Sequence, residues 1–263
     1  VVLPPVALDG PTMTIRKFPK EKMTMERLIE LGALDEEAAG FLKLLVKARY
    51  NIFVSGGTGA GKTTFLNALS DYIPKTERII TIEDSAELQL RDVENLVRME
   101  TRNSNVEGEN AITIRDLIKA SLRMRPDRVI VGEVRDSAAI DMLTAMNTGH
   151  DGSLSTGHAN SAYDMITRLE SMVLMGIELP MEAVRRQIAS AVDIIIHLGR
   201  LRDGSRKVTE ICEVTGIENG QVQLMSLYEF EEQAEKGRKT VQGHLKKKAA
   251  LQNKEKLKRA GLE

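Results

Sequence analysis

The sequence predicts an α/β fold in which helices cover a mainly parallel sheet. Five short segments carry strand signals, at residues 52–54, 79–82, 129–131, 153–156 and 194–197, and most of them are apolar. Segments with helical spacing alternate with these runs. Such alternation is typical of a parallel sheet, because each parallel pair of strands needs a long crossover connection, usually a helix.

Helix boundaries are indicated by capping residues. Apolar residues recur at helical spacing from 24 to 49, where Gly32 interrupts the pattern and Asp35 is suited to cap a second helix. Two helices are therefore predicted before the first strand. Two later helices begin with capping-box patterns, at residues 113–116 and 161–164.

The pattern changes after residue 197. The turn signals "RDGSR" and "ENGQ" separate short strands at 207–214 and 222–224, which predicts an antiparallel extension. Residues 236–259 hold ten Lys or Arg and one acidic residue, and we expect a solvated helical tail there. The predicted division is a remnant of an N-terminal domain with its linker at 1–22, the main domain at 23–230 and a charged appendage at 231–263.

Composition sets limits on the class of protein. A chain of 263 residues can bury a large core, and its net charge of −1 gives no overall attraction to nucleic acid. The one cysteine, Cys212, excludes an intramolecular disulfide and suits a reducing cytoplasm. No apolar run approaches the roughly 18 residues of a membrane span. The start, "VVLPPVALDGPTMTIRKF", has no initiator methionine, and we expect the chain to be part of a longer protein.

The stretch "SGGTGAGKTT" at residues 55–64 matches the phosphate-loop pattern G-x-x-x-x-G-K-[ST]. A strand signal precedes it and a helical pattern follows it, as the motif requires. Backbone N–H groups of such a loop surround phosphates, Lys62 reaches the β- and γ-phosphates, and Thr63 ligates magnesium. The predicted nucleotide-binding residues are Gly56, Gly57, Thr58, Gly59, Ala60, Gly61, Lys62, Thr63 and Thr64.

Carboxylates follow two of the predicted strands. Glu83, Asp84 and Glu87 follow the strand in "RIITIEDSAELQL", and Glu133 follows the strand in "RPDRVIVGEVRD". In open α/β sheets ligands bind outside the carboxyl ends of the strands. Hydrolysis of a bound nucleotide needs one carboxylate to activate water and another to organise magnesium, and these residues are the candidates.

Two of the four histidines lie in the glycine-rich stretch "NTGHDGSLSTGHAN", at His150 and His158. They can be surface residues of a loop, or one imidazole can approach the γ-phosphate. A structural metal site is disfavoured because no further cysteine or histidine completes a ligand set.

Four stretches together resemble a known family in order and spacing: "GGTGAGKTT", "TIEDSAELQL", "RMRPDRVIVGEVRD" and "TGHDGSLSTGHAN" are similar to the Walker A, Asp, Walker B and His boxes of the type II and type IV secretion ATPases. Further stretches, including "RRQIASAVDIIIHLGR" and "EICEVTG", resemble the CpaF branch, which serves tight-adherence (Flp-type) pili. Gly157 before His158 and the lysine-rich tail depart from the family pattern.

This resemblance implies a RecA-like P-loop ATPase domain that binds ATP and Mg²⁺ and, in the full-length protein, a homo-hexameric ring. Glu83 becomes the catalytic base, Glu133 the Walker B acid near Mg²⁺, and His158 a sensor of the γ-phosphate. Five arginines lie in arginine-bearing stretches of the family and can contact phosphate or bridge subunits: Arg16, Arg98, Arg102, Arg123 and Arg135. Among them Arg123 and Arg16 rank highest.

The function implied is a motor that powers pilus assembly or secretion. It is cytoplasmic, spans no membrane, and works at the inner face of the cytoplasmic membrane through platform proteins. A DNA-translocating or conjugative ATPase of the same fold is the alternative. The basic tail favours it, but aromatics that stack on bases are few, so nucleic acid is an unlikely partner. A small-molecule kinase would need a lid of arginines after the core, and this sequence offers no candidate for one. A non-catalytic scaffold is also disfavoured, because it would not need Lys62, Glu83 and Glu133 together.

Overall fold

Nine strands form one mixed sheet in the computed structural model, which describes residues 1–15, 17, 23–90, 93–104, 109–233 and 240–262. In chain order the elements are α1 Met25–Glu30, α2 Glu36–Lys47, β1 Ile52–Gly56, α3 Lys62–Ser70, β2 Arg78–Glu83, β3 Asn95–Glu100, α4 Ile114–Leu122, β4 Arg128–Val131, α5 Ala138–Asn147, β5 Leu154–Gly157, α6 Ala162–Gly176, α7 Met181–Ala191, β6 Ile194–Arg200, β7 Arg206–Glu218, β8 Gln221–Glu232, β9 Gly243–Lys247 and α8 Glu255–Arg259.

The strand order is β3-β2-β4-β5-β1-β6-β7-β8-β9. The first six strands of this order are parallel, and β7, β8 and β9 continue the sheet in antiparallel pairing. The predicted α/β class, parallel core and antiparallel extension are therefore confirmed. β1 lies in the middle of the sheet, between β5 and β6, so both of its edges are hydrogen-bonded.

Two apolar clusters cover the two faces of the sheet. One contains the buried residues of α1, α2 and α3, and the other contains those of α4, α5, α6 and α7. Neighbouring residues of β1 divide between the clusters, since Ile52 and Val54 belong to the first and Phe53 to the second. Strands covered on both faces have continuous apolar runs, and this explains why β1, β2, β4 and β6 were readable from sequence.

The predicted helix starts agree with the structure. Asp35 caps α2 through Oδ1, which accepts a hydrogen bond from Ala38 N at 2.8 Å. Thr113 and Asp116 form a reciprocal capping box at the start of α4. At α6 the Ser161 hydroxyl accepts from the backbone of the third helical residue, but no reciprocal bond accompanies it.

Several elements differ from the sequence prediction. β3 was not predicted; it is an edge strand with no fully buried residue, so its apolar signal is weak. β7 and β8 are longer than predicted. Among the described residues of the lysine-rich tail, β9 is a strand and only Glu255–Arg259 is helical. The expected helix fails because Leu245 and Leu251 are buried against the first cluster, which anchors the tail to the sheet.

The first fifteen residues form no strand. Val2 and Thr12 make an isolated bridge, and most side chains between them are exposed. Within the described part of the chain, every helix is too short or too polar to cross a lipid bilayer.

A buried ion pair joins the layers at the amino ends of the strands. Arg128, at the start of β4, is fully buried; its Nε and Nη2 donate to the two carboxylate oxygens of Glu77 at 2.5 and 3.0 Å. Its Nη1 donates to Val46 O and Gly152 O, at 2.7 and 3.3 Å. One guanidinium thus ties α2, β4 and the loop before β5 together.

At the carboxyl end of β1 the chain passes very close to β6. A Cβ atom added to Gly56 would lie 2.6 Å from Leu198 O and 3.3 Å from Leu198 Cβ. Next to Gly56, Gly57 has no atom within 4 Å of an added Cβ. Only glycine at position 56 therefore permits this spacing at the start of the glycine-rich loop.

Replacing Glu77 with Gln tests the buried ion pair. Glu77→Gln leaves the Arg128 guanidinium buried without a compensating charge, so we expect the free energy of unfolding to fall by about 3 to 5 kcal/mol. Denaturant unfolding measures this. The control is Glu182→Gln, which removes an exposed partner of Arg186 and should cost less than about 1 kcal/mol. Equal effects of the two changes would contradict the structural role given to Arg128.

Replacing two adjacent glycines tests the close approach of β1 and β6. Gly56→Ala places a methyl group against the β6 backbone, and overpacking of this kind costs about 1 to 3 kcal/mol. Gly57→Ala is the matched control and should change the free energy of unfolding by about 0.5 kcal/mol or less. Thermal and denaturant unfolding of both variants make the comparison, and a Gly57→Ala effect as large as that of Gly56→Ala would refute it.

Candidate functional site

The four sequence motifs meet at the carboxyl edge of adjacent parallel strands. The glycine-rich loop follows β1, His158 follows β5, Glu133 follows β4 and Glu83 ends β2. These strands are neighbours in the order β2-β4-β5-β1. The convergence expected from the strand-end rule is therefore present, and Glu83, Glu133, His158 and the loop share one cleft edge.

The glycine-rich loop ends at the amino terminus of α3. Gly61 is the cap residue of this helix, with φ +96°, and it offers no side-chain cap to the first N–H groups. Gly59 also has positive φ, +73°. Glycine adopts these angles without strain, and the uncapped N–H groups and the helix dipole together favour an anion.

Lys62 lies in the first turn of α3 and is 7 % exposed. Its Nζ donates to Gly56 O at 3.0 Å and to Gly57 O at 3.1 Å, and lies 3.2 Å from His158 Nδ1. The ammonium is therefore held inside the curve of the loop. Burial lowers its pKa, while the nearby Glu133 carboxylate acts in the opposite direction.

Glu83 is 4 % exposed and is held by the loop that follows β2. Its Oε2 accepts hydrogen bonds from Glu87 N at 2.8 Å and Leu88 N at 2.7 Å. Burial raises the pKa of Glu83, and these two N–H donors and Arg98 partly offset the effect of burial. A positioned carboxylate of raised pKa is suited to accept a proton.

Glu133 and His158 face each other across the cleft. His158 Nε2 lies 2.8 Å from Glu133 Oε1, and Arg135 Nη2 donates to Glu133 Oε2 at 2.8 Å. Glu133 Oε1 is buried and accepts no well-directed hydrogen bond from the described residues. Burial lowers the pKa of His158, and Glu133 opposes this shift. The imidazole thus links Lys62 to Glu133.

Hydrogen bonds between neighbouring strand ends keep these groups together. Thr156 Oγ1 donates to Gly132 O at 2.7 Å, and Val134 N donates to Thr156 O at 2.9 Å. A Cβ on Gly132 would lie 3.1 Å from Glu83 Cγ, so glycine at 132 makes room for the Glu83 side chain. The sequence analysis missed Gly132 and Thr156, because their roles depend on which strands are adjacent.

A cavity of about 340 Å³ opens between the glycine-rich loop, residues 158–160 and α6. Its lining residues are Gly57, Thr58, His158, Ala159, Asn160, Asp164, Thr167 and Arg168. The sequence analysis did not single out Arg168. It lies on α6, two turns from the helix start, where no motif marks it.

The structure separates the two histidines. His150 precedes β5, and its carbonyl accepts from Ser153 Oγ at 2.7 Å, so it lies at the amino edge of the sheet. His158 lies at the carboxyl edge. The two are on opposite edges, and only His158 contacts the loop.

The candidate arginines also lie in different parts of the structure. Arg123 is exposed at the end of α4, beside Met124, whose carbonyl accepts from Arg78 at the start of β2. It therefore lies at the amino edge, away from the loop of its own chain. Arg16 is outside the described residues.

The remaining three arginines contact residues that follow the carboxyl ends of β2, β3 or β4. Arg135 contacts Glu133 and lies 3.7 Å from Asp84. Arg98 donates to Leu88 O at 3.1 Å and so supports the loop that holds Glu83. Arg102 donates to Asn110 O, a backbone contact that closes its own loop.

Sequence comparison places this chain among known proteins. The family model described as "Type II/IV secretion system protein" matches residues 2–260. A putative conjugal transfer protein of Mycobacterium tuberculosis is 40% identical over 227 residues, which are 86% of this chain and 64% of that protein. The conjugal transfer protein TrbB of Rhizobium radiobacter is 35% identical over 234 residues, which are 88% of this chain and 68% of TrbB.

Solved structures share the fold. The VirB11 ATPase of the Brucella suis type IV secretion system, solved with sulphate, has a TM-score of 0.61 and 35% identity, covering 74% of this chain and 58% of its own. The pilus retraction motor PilT with bound ADP has a TM-score of 0.53 and 26% identity, covering 80% of this chain and 54% of its own. The present chain thus spans between about half and two thirds of the length of most of these proteins.

The match runs through almost the whole chain, and the relatives and the VirB11 structure retain at least 35% identity over most of it. This protein therefore belongs to the type II/IV secretion system protein family.

Proposed function

We propose that this chain binds ATP with Mg²⁺ and hydrolyses it, as the RecA-like ATPase domain of a motor that drives pilus assembly or secretion. The observation that carries the proposal is the contact of Lys62 with His158, and of His158 with Glu133, at the amino terminus of α3. A loop that only bound phosphate would need neither the contact between His158 and Glu133 nor the buried Glu83. The set is suited to positioning and charge stabilisation, which dominate catalysis of phosphoryl transfer.

In the proposed mechanism Glu83 accepts the proton of the attacking water. Its Oε2 is occupied by two backbone donors, which leaves Oε1 to orient water. Lys62 and the N–H groups of the loop stabilise the negative charge that develops on the β- and γ-phosphates.

Magnesium fits the residues present. The buried Glu133 Oε1, without a well-directed donor, and the Thr63 hydroxyl offer the oxygen ligands that Mg²⁺ prefers. Among the described residues no three His, Cys, Asp or Glu side chains form a metal cluster, which agrees with an ion held largely by substrate phosphates and water. When bound, the ion would neutralise phosphate charge.

His158 is proposed to sense the γ-phosphate. Its Nδ1 lies within hydrogen-bond distance of the Lys62 ammonium. A phosphate that attracts Lys62 would therefore change the position of His158 and, through the contact of His158 with Glu133, the position of Glu133. A lowered pKa keeps the imidazole neutral near pH 7, so that it can exchange one partner for another without a change in charge.

The branch of the family, the cellular location and the contact between subunits are also proposals. The stretches that resemble the CpaF branch support a role in Flp-type pili, in the cytoplasm at inner-membrane platform proteins. Arg123, exposed and remote from its own loop, suits a contact with the site of a neighbouring subunit in a hexamer. The domain division at 22 and 230 remains a proposal as well.

A second candidate is a conjugative transfer ATPase, because two of the relatives described above are named as conjugal transfer proteins. Stimulation of ATP hydrolysis by DNA of any sequence, lost as salt rises, would favour it. Without such stimulation the secretion or pilus motor is preferred.

Substitutions at Lys62 and Glu83 separate binding from hydrolysis. Lys62→Ala should lose both nucleotide affinity and phosphate release, because it removes the positive charge that contacts the phosphates. Glu83→Gln should retain ATP and release little phosphate, because it removes only the proton acceptor. Fluorescent-nucleotide titration and phosphate release measure the two. If Glu83→Gln hydrolyses normally while Glu133→Gln is inactive, the roles of the two glutamates are exchanged.

The two histidines provide a matched pair. His158→Ala should bind nucleotide but lose more than about tenfold in kcat, a barrier increase of roughly 1.4 kcal/mol. His150→Ala, at the opposite edge of the sheet, should leave kcat within about twofold. Steady-state phosphate release under saturating ATP decides between them, and equal small effects would remove His158 from the mechanism.

A further inference from the structure

The hairpin between β6 and β7 carries four basic side chains beside the phosphate loop. β6 pairs with β1, with Leu198 opposite Gly56, so the hairpin starts next to the loop. Two of the four have partners within the fold. Arg202 forms a two-pronged ion pair with Glu232, and Lys207 Nζ donates to Gly32 O at 2.6 Å.

The other two, Arg200 and Arg206, have no side-chain hydrogen bond or ion pair with any described residue, and both are exposed. They are also directly opposite each other in the register of β6 and β7. Like charges at directly opposed positions of an antiparallel pair destabilise it. The hairpin therefore holds two unpaired guanidinium groups in an unfavourable arrangement that an anion would relieve.

Both arginines lie on the face of the sheet that carries α3. Leu198 and Val208, two residues back along each strand, belong to the apolar cluster of α1, α2 and α3. Side chains two residues apart on a strand point to the same face. The hairpin thus directs Arg200 and Arg206 toward the start of α3.

Arg206 reaches the phosphate loop itself. A Cβ added to Gly61, the cap residue of α3, would lie 3.6 Å from Arg206 Cδ. The guanidinium extends beyond Cδ, and the uncapped helix terminus at this position attracts anions. The planar fork of arginine donates two parallel hydrogen bonds to a phosphate.

We propose that Arg206, with Arg200 opposite it, binds the phosphate groups of the nucleotide held by the glycine-rich loop. The hairpin closes the phosphate site on the side away from His158 and Glu133. This inference rests on the proposed nucleotide binding, and it assigns to the antiparallel extension a direct part in the site.

Titrations with ADP, AMP and inorganic pyrophosphate test the inference on the intact chain. Arg206→Gln should raise the Kd for ADP and for pyrophosphate about tenfold, since a hydrogen bond to a charged group is lost. The Kd values of Arg206→Lys should lie between those of the unsubstituted chain and of Arg206→Gln, because lysine keeps the charge but loses the planar fork of donors. Arg202→Gln, in the same hairpin but paired with Glu232, is the control and should leave both Kd values unchanged.

Thermal unfolding adds a readout that does not depend on hydrolysis. Arg206→Gln removes a like-charge contact, so the Tm without ligand should equal or exceed that of the unsubstituted chain. The rise in Tm on adding ADP should be smaller in the variant. A lower Tm without ligand and an unchanged ADP-induced rise would assign Arg206 a purely structural role and overturn the inference.

Two negative outcomes have different meanings. If the unsubstituted chain binds ADP and Arg206→Gln binds it equally well, the hairpin inference is wrong and the proposed function stands. If the unsubstituted chain binds neither ADP nor pyrophosphate, the proposed function fails and the inference fails with it. Loss of AMP affinity equal to the loss for ADP would restrict the contact to the α-phosphate.

Discussion

The parallel pairing of β2, β4, β5 and β1 is the constraint on which the rest of the site depends. In the register Ile82 pairs with Val131, Val131 with Ser155, and Ser155 with Phe53, so the four strands end at nearly one level. Glu83, Glu133, His158 and Gly56 come one to three residues later. Since parallel strands share one direction, residues from four distant parts of the sequence reach the same edge. A change of strand order would scatter them.

Burial then gives these groups their chemistry. It raises the pKa of Glu83 and lowers the pKa values of Lys62 and His158, and in each case neighbouring charges or hydrogen bonds oppose it. Within this cluster the Lys62 ammonium lies 3.2 Å from His158 Nδ1, and His158 Nε2 lies 2.8 Å from a carboxylate oxygen of Glu133. Fixed charges of this kind interact strongly in a partly buried cleft, where they need little reorganisation when charge develops on a substrate.

The two edges of the sheet carry different kinds of residue. At the amino edge, buried polar groups join elements: Arg128 pairs with Glu77, and Asn51 Oδ1 accepts from Gly152 N and Ser153 N. The tail docks near this edge as well. Glu213 accepts the backbone N–H groups of Gln252 and Asn253. The carboxyl edge carries the glycine-rich loop and, beside it, the cavity lined by His158 and Arg168. A rigid amino edge lets the loops at the other edge hold their positions.

The sequence by itself determined the α/β class, five of the six parallel strands, the capped starts of α2, α4 and α6, and the identity of the four motifs. These features are readable because they are local: continuous apolar runs mark strands buried on both faces, and the motif residues are separated by short, characteristic spacings. The edge strand β3 and the docked tail were not readable, since an exposed strand lacks a strong apolar pattern and lysine-rich composition conceals isolated buried leucines.

Only the tertiary structure decided which chemically similar residues belong to the site. His150 and His158 are eight residues apart in similar glycine-rich surroundings, yet a strand lies between them and places them at opposite edges of the sheet. Arg123 is remote from the loop, whereas Arg206, about 150 residues from it in sequence, covers the start of α3. The physical reason is that proximity between distant segments follows from strand order and register, which local sequence patterns do not encode.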